Sequence, residues 1–172
     1  VQAVPGANPF YQITAGDVAT DADVIAIHEE YYGIPWAEFE SNLPPPALWV
    51  AKMDELGALG EKHNKEVYLA LLLGREWLAD RAVVKDGKLD RTAKWSARCY
   101  DFARAPDGAL KQAAYARYVG WMVERFQPRW VNVAIEMNSF LTSCPDAWPG
   151  YVEAERAAYD AAKAAKPDVV AF

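Results

Sequence analysis

Arg129-Trp130-Val131-Asn132-Val133-Ala134-Ile135-Glu136-Met137-Asn138 is the stretch on which the reading of this chain turns. From Trp130 to Glu136 the residues are almost all apolar or β-branched, the pattern of a strand covered on both faces in a parallel sheet. The run then meets a carboxylate, Glu136, and an amide, Asn138. In parallel α/β proteins, ligands bind at the carboxyl ends of the strands. A Glu at such an end is therefore a candidate functional group.

Working outward, three further strand-like runs appear, at 23–28 (Asp-Val-Ile-Ala-Ile-His), 66–73 and 168–172, with a short fifth run at 10–14. Helical spacing fills the intervals. Residues 46–63 place Trp49, Met53, Leu56 and Leu59 on one stripe, as an amphipathic helix requires. A second helix is expected over 109–126, ending at Pro128, and an Ala-rich third over 150–165, stopped by Pro167. Its Tyr151, Ala154, Ala158 and Ala162 form a face suited to packing on the sheet. Within the long segment from Gly74 to Asp107, residues 82–89 read as a hairpin with an Asp86-Gly87 turn.

The resulting β-α-β-α-β-α-β order predicts a single α/β domain over 1–172, with parallel β/α repeats. Long loops follow the strands and short links precede them, the asymmetry of a (β/α)8 TIM barrel. A full barrel needs eight strands and about 250 residues, whereas four or five strands are found here. The expectation is a partial or half barrel. Three arrangements fit: part of a longer barrel lacking its C-terminal half, a homodimer or other pairing that completes it, or a small open sheet.

Composition narrows the partners. A net charge of −6 with no basic run disfavours nucleic acid and anionic membrane. No apolar run reaches the roughly 18 residues of a membrane-spanning helix. Two Cys and two His, far apart, disfavour a metal site, and no cofactor motif is present: there is no Gly-rich phosphate loop and no Gly-x-Ser-x-Gly elbow. Cys99 and Cys144 fall in loops after neighbouring strands. They form either one bridge over the cleft or two separate thiols. A bridge would imply an oxidising compartment, secreted or periplasmic.

Several candidate site residues stand at the predicted strand ends. Glu136 suits a general acid whose pKa is raised by partial burial, with Asn138 beside it. His28 and Glu29-Glu30 end the first strand, and the aromatic loop that follows carries Trp36. Aromatic rings of this kind offer a stacking face for sugars; the alternative places Trp36 in the core. Arg75-Glu76-Trp77 follows the second strand, where Arg75 could clamp Glu136 or a substrate oxygen. The alternative is an ordinary ion pair with Glu76 or Asp80, more so for Glu76 than for Arg75.

Taken together, residues 23–28, Gly33-Ile-Pro-Trp36, Val67-Tyr-Leu-Ala70 and 128–138 resemble the first half of a clan-A type (β/α)8 glycoside hydrolase, similar to the endo-galactanases. The resemblance implies a hydrolase acting on polysaccharide or oligosaccharide β-linkages, with Glu136 at the position of the acid/base after the fourth strand. It implies no cofactor. In that family Asn precedes the Glu, where this chain has Ile135, and the nucleophile stands near the end of a seventh strand. Retaining glycosidases need two carboxyl groups about 5 Å apart; Glu29 or Glu30 is the remaining choice within this chain. Two other readings stand beside this one. The first is a non-catalytic carbohydrate-binding or assembly module using Trp36, Trp77, Trp95 and Trp148. The second is a small α/β enzyme with His28 as base.

Overall fold

The computed structural model describes residues 21–29 and 31–172. The expected strand at 10–14 and Glu30 lie outside the described residues. In chain order the elements are β1 (Val24–Glu29), α1 (Trp36–Glu40), α2 (Ala47–His63), β2 (Glu66–Leu71), β3 (Arg81–Lys85), β4 (Lys88–Thr92), α3 (Gly108–Phe126), β5 (Trp130–Asn132), α4 (Met137–Ser143), a 3-10 turn at Pro145–Ala147, α5 (Trp148–Ala165) and β6 (Val170–Ala171). The molecule is mixed α/β, built on a four-stranded parallel sheet of order β1-β2-β5-β6.

β3 and β4 form the expected hairpin. Asp86 and Gly87 take φ values of 50° and 70°, the conformation that matches strand twist in a two-residue turn.

The strand order has a structural consequence. The four strands stand side by side in chain order, with no reversal. Right-handed crossovers that always advance in one direction lay every helix on the same face. Burial follows this. Ile25, Ile27 and Glu29 are buried on β1, alternating with half-exposed Val24, Ala26 and His28. On β2, Val67, Leu69 and Leu71 are buried. On β5, Val131 is buried between half-exposed Trp130 and Asn132. The expectation that 130–136 is covered on both faces is thus corrected: among the described residues, winding in one direction places no helical layer on the second face. On that face Tyr68 stacks on Phe172 at 6.1 Å, and Val170 and Phe172 are about half exposed.

The core lies between the sheet and the helices. Trp49, Met53 and Leu56 of α2 are buried, as the spacing predicted. On α3, Tyr115, Tyr118, Val119, Met122 and Val123 are fully buried. The α5 stripe of Tyr151, Ala154, Ala158 and Ala162 is buried too, but α5 lies chiefly along α3 rather than on the sheet alone. Small residues permit this approach, with Gly120 facing Ala161 across the contact. Two helices end on left-handed residues, Asn64 after α2 and Gln127 after α3, which turns the chain sharply into the next strand.

A buried cation sits in this packing. The Lys111 ammonium donates to Glu40 at 2.7 Å, lies 3.0 Å from Asp107, and rests over the Trp95 ring at 4.9 Å. Asp107 also accepts a 2.6 Å hydrogen bond from the Tyr100 hydroxyl. A buried ammonium needs such partners, and here they tie α1 to the start of α3.

Candidate functional site

β1, β2 and β5 end side by side. The register sets His28 beside Ala70, Glu29 beside Leu71 and Asn132 beside Ala70. The loops from these three ends define the site.

After β2 the chain enters a tight turn at Gly74. The Ala79 N–H donates to the Leu73 carbonyl at 2.9 Å, and the Arg75 N–H to the Trp77 carbonyl at 3.1 Å. Gly74 has φ +156°, and a Cβ there would stand 2.4 Å from the Trp77 carbonyl oxygen. Only glycine fits. The Tyr151 hydroxyl reaches from α5 to hold the Gly74 carbonyl at 3.2 Å. This turn aims Arg75 across the strand ends. Gly74→Ala is expected to destabilise the protein by on the order of 1–3 kcal/mol, read as a lowered urea midpoint with an unchanged slope.

After β5 the ladder stops earlier than the apolar run suggested. The Asn132 side chain accepts the Ala134 N–H at 3.1 Å, an alternative to extended pairing that Asn offers readily. Sheet contact persists only at intervals, through Val133 N–H to Phe172 and Ile135 N–H to Leu71. Glu136 then takes φ +60° and becomes the residue preceding α4. The sequence expectation of a strand ending on this carboxylate is corrected to a bend followed by a left-handed residue.

Arg75 and Glu136 form a hydrogen-bonded ion pair between these two loops. Three charged or ionisable groups from three elements face Glu136: Arg75, His28 and Tyr151. The hydrogen bond from Arg75 holds the Glu136 carboxyl below the usual carboxylate range, with a small further contribution from His28. The expectation of a raised pKa is overturned by this partner: the guanidinium outweighs partial burial.

A cleft of about 610 Å³ opens on the Arg75 side of the pair, lined by Glu29, Tyr31, Arg75, Glu76, Trp77, Asp80, Arg91 and Lys94; Glu136 itself is not part of the lining. Trp77 is half-buried there, with the Lys94 ammonium 4.6 Å from its ring. Glu76 is taken by Arg98, at 3.0 and 3.2 Å, which lowers its pKa; the plain ion-pair reading holds for Glu76. Glu29 is buried and accepts the Tyr32 N–H at 3.0 Å. His28 lies on the open sheet face, edge-on to Tyr68. Asn138 is exposed on the first turn of α4, outside the cleft lining.

Trp36 is not a surface platform. It is 1% exposed, stacks on Tyr115, and donates its indole N–H to the Ala79 carbonyl at 3.1 Å. The core alternative applies because the α1 turn carries it under the hairpin. Trp95 donates to the same carbonyl at 2.8 Å, and Trp148 stacks on Tyr151. Of the four tryptophans considered for sugar stacking, only Trp77 lines the cleft.

Cys99 and Cys144 are bridged, with Cα atoms 5.2 Å apart. Sequence reasoning missed Arg98, Lys94 and Tyr151 as contributors to this region. Arg98 stands directly before Cys99, and a predicted bridge would have brought it to Glu76. Nothing local marked Tyr151, whose role depends on α5 lying under Gly74. Among the described residues no three His, Cys, Asp or Glu side chains are gathered as metal ligands, and no helix is long and apolar enough to cross a membrane. Comparison of the chain with protein-family models, with curated proteins and with solved structures finds no match.

Proposed function

We propose that this chain is a portion of a (β/α)8 glycoside hydrolase that acts on polysaccharide or oligosaccharide β-linkages, with Glu136 as its general acid/base. The observation that carries the reading is the placement of Glu136. It stands beyond the end of the third strand of a sheet wound in one direction, paired with Arg75 and beside His28. A parallel sheet wound in one direction, with helices on one face, is the repeat from which a barrel is built. The adjoining cleft, with Trp77 at its wall, is of a size that takes a few sugar rings. Glu136 itself has φ +60°, and strained residues gather where function fixes geometry. The bridge between Cys99 and Cys144 fits an oxidising compartment.

Arg75 defines how the acid would work. In the free protein it keeps Glu136 ionised. A substrate oxygen that draws the guanidinium away would let the carboxyl take up a proton and then deliver it to the leaving oxygen. The second carboxylate is the open element. Among the described residues Glu29 is buried and Glu76 is bound to Arg98, so in this reading the nucleophile would come from outside those two.

The test is hydrolysis of aryl β-glycosides by the protein and by Glu136→Gln. Loss of roughly 10²–10⁴-fold in rate is expected for removal of the acid/base; equal rates in both would remove Glu136 from the chemistry. Because the ionised pair also suits plain recognition of sugar hydroxyls, calorimetric titration with oligosaccharides belongs beside it. Binding that survives Glu136→Ala, with no hydrolysis by either protein, would instead favour a carbohydrate-binding module.

A further inference from the structure

The bridge and the ion pair belong to one closed circuit. Starting at Arg75, the chain passes to Glu76, whose carbonyl accepts the Cys99 N–H at 2.7 Å. Cys99 is joined to Cys144, which follows the last residue of α4 and donates its N–H to Phe140 at 2.7 Å. α4 runs back seven residues to Glu136, and the Glu136 carboxylate returns to Arg75. A short helix of this length has little stability of its own, so its two ends are fixed by what they are tied to. Cys99 itself has φ +52°, a conformation a non-glycine residue keeps only when its surroundings hold it.

We propose that the Cys99–Cys144 bridge is a positioning element for the site: by anchoring the far end of α4 to the Arg75-Glu76 segment, it holds Glu136 within reach of Arg75. Without the bridge, α4 keeps its packing of Phe140 on Tyr151 and the contact of Ser143 with Glu76, but its far end loses the covalent tie to Cys99, and the pair opens. The inference deepens the acid/base reading, since it names what sets the ionisation of that carboxylate. It does not depend on hydrolysis for its test.

The experiment is a carbon-detected NMR titration of the Glu136 carboxyl, assigned by its loss in Glu136→Gln, in the bridged protein and in the Cys99→Ser/Cys144→Ser double variant. Arg75, His28 and Tyr151 are the groups that face Glu136, and only the contact with Arg75 should weaken. The Glu136 midpoint is expected to move up toward the ordinary carboxylate range in the variant. An unchanged Glu136 midpoint in a folded variant would overturn the proposal. Native-state hydrogen exchange on the bridged protein gives a second test that needs no variant. The amides of Cys99, Arg75 and Cys144 should open as one cooperative unit; independent opening of α4 would equally overturn it. A protein that hydrolyses nothing yet passes both tests would reject the enzymatic reading and leave the positioning role standing.

Discussion

Raising the pH above about 10 is expected to unfold this protein over a narrow range. Tyr115, Tyr118 and Tyr151 are buried, and burial pushes each hydroxyl well above the usual tyrosine range. Tyr115 donates to the Val133 carbonyl at 2.8 Å and Tyr151 to Gly74, bonds that need the protonated form. Tyr100, hydrogen-bonded to Asp107, is shifted the same way. Unfolded tyrosines lose their protons near pH 10, whereas the native ones keep them. The unfolded state then binds fewer protons, so unfolding free energy falls as pH rises. Below pH 10 the contribution is fully present. Above it, each fully buried tyrosine removes about 1.4 kcal/mol per pH unit. The three together remove about 4 kcal/mol per unit, against a typical total of about 5–15 kcal/mol. Urea midpoints followed by circular dichroism between about pH 8 and 11 would show the fall, and the tyrosinate absorbance of the buried tyrosines should appear only as the fold is lost. Titration of all nine tyrosines near pH 10 in an intact fold would contradict it.

Trp36→Ala is expected to cost about 3–5 kcal/mol of stability. The side chain is buried against Tyr115 and Trp95, with centroids 6.1 and 5.5 Å away, and the hole cannot collapse around a fixed hairpin. Trp36→Phe should behave differently. The Ala79 carbonyl keeps its second indole donor, Trp95, so no buried acceptor is left without a partner, and the loss should stay near 1 kcal/mol. Any carbohydrate affinity of Trp36→Phe should match that of the parent, whereas Trp77→Ala, at the cleft wall, should weaken it. Chemical denaturation and calorimetric titration on the same three variants separate packing from binding. A selective loss of affinity in Trp36→Phe would return that residue to the site.

Much of the fold was legible because periodicity is a property of burial. The stripe of Trp49, Met53 and Leu56 and the Asp86-Gly87 turn are local patterns, and the structure reproduces both. The stretch at 130–136 misled in an instructive way. Its continuous apolar character suggested two covered faces, but Trp130 and Asn132 are half-exposed on a face that no described helix covers. Apolar content reports what a residue would prefer to bury, and the number of layers is decided by winding direction, which no single strand encodes. The site was read in part. Arg75 meets Glu136 because loops from neighbouring parallel strands emerge together, and that follows from chain order. The sense of the Glu136 pKa did not follow, because it depends on whether a guanidinium is in contact, and contact depends on the turn at Gly74. Trp36 failed as a binding residue for a similar reason: an aromatic in a loop and an aromatic under a loop look alike until the hairpin is placed over it.

The left-handed backbone at Glu136 sets stability and chemistry against each other at one residue. For a side chain with a Cβ this conformation costs roughly 1–2 kcal/mol; glycine would adopt it freely, and asparagine more readily than glutamate. A search for a sturdier version of this protein, by random mutation or by design, would therefore be drawn to position 136 and would find its improvement by deleting the carboxylate. Thermal robustness is the wrong guide at this position, and variants gained that way should be checked there before anything is concluded about what the protein binds or cleaves.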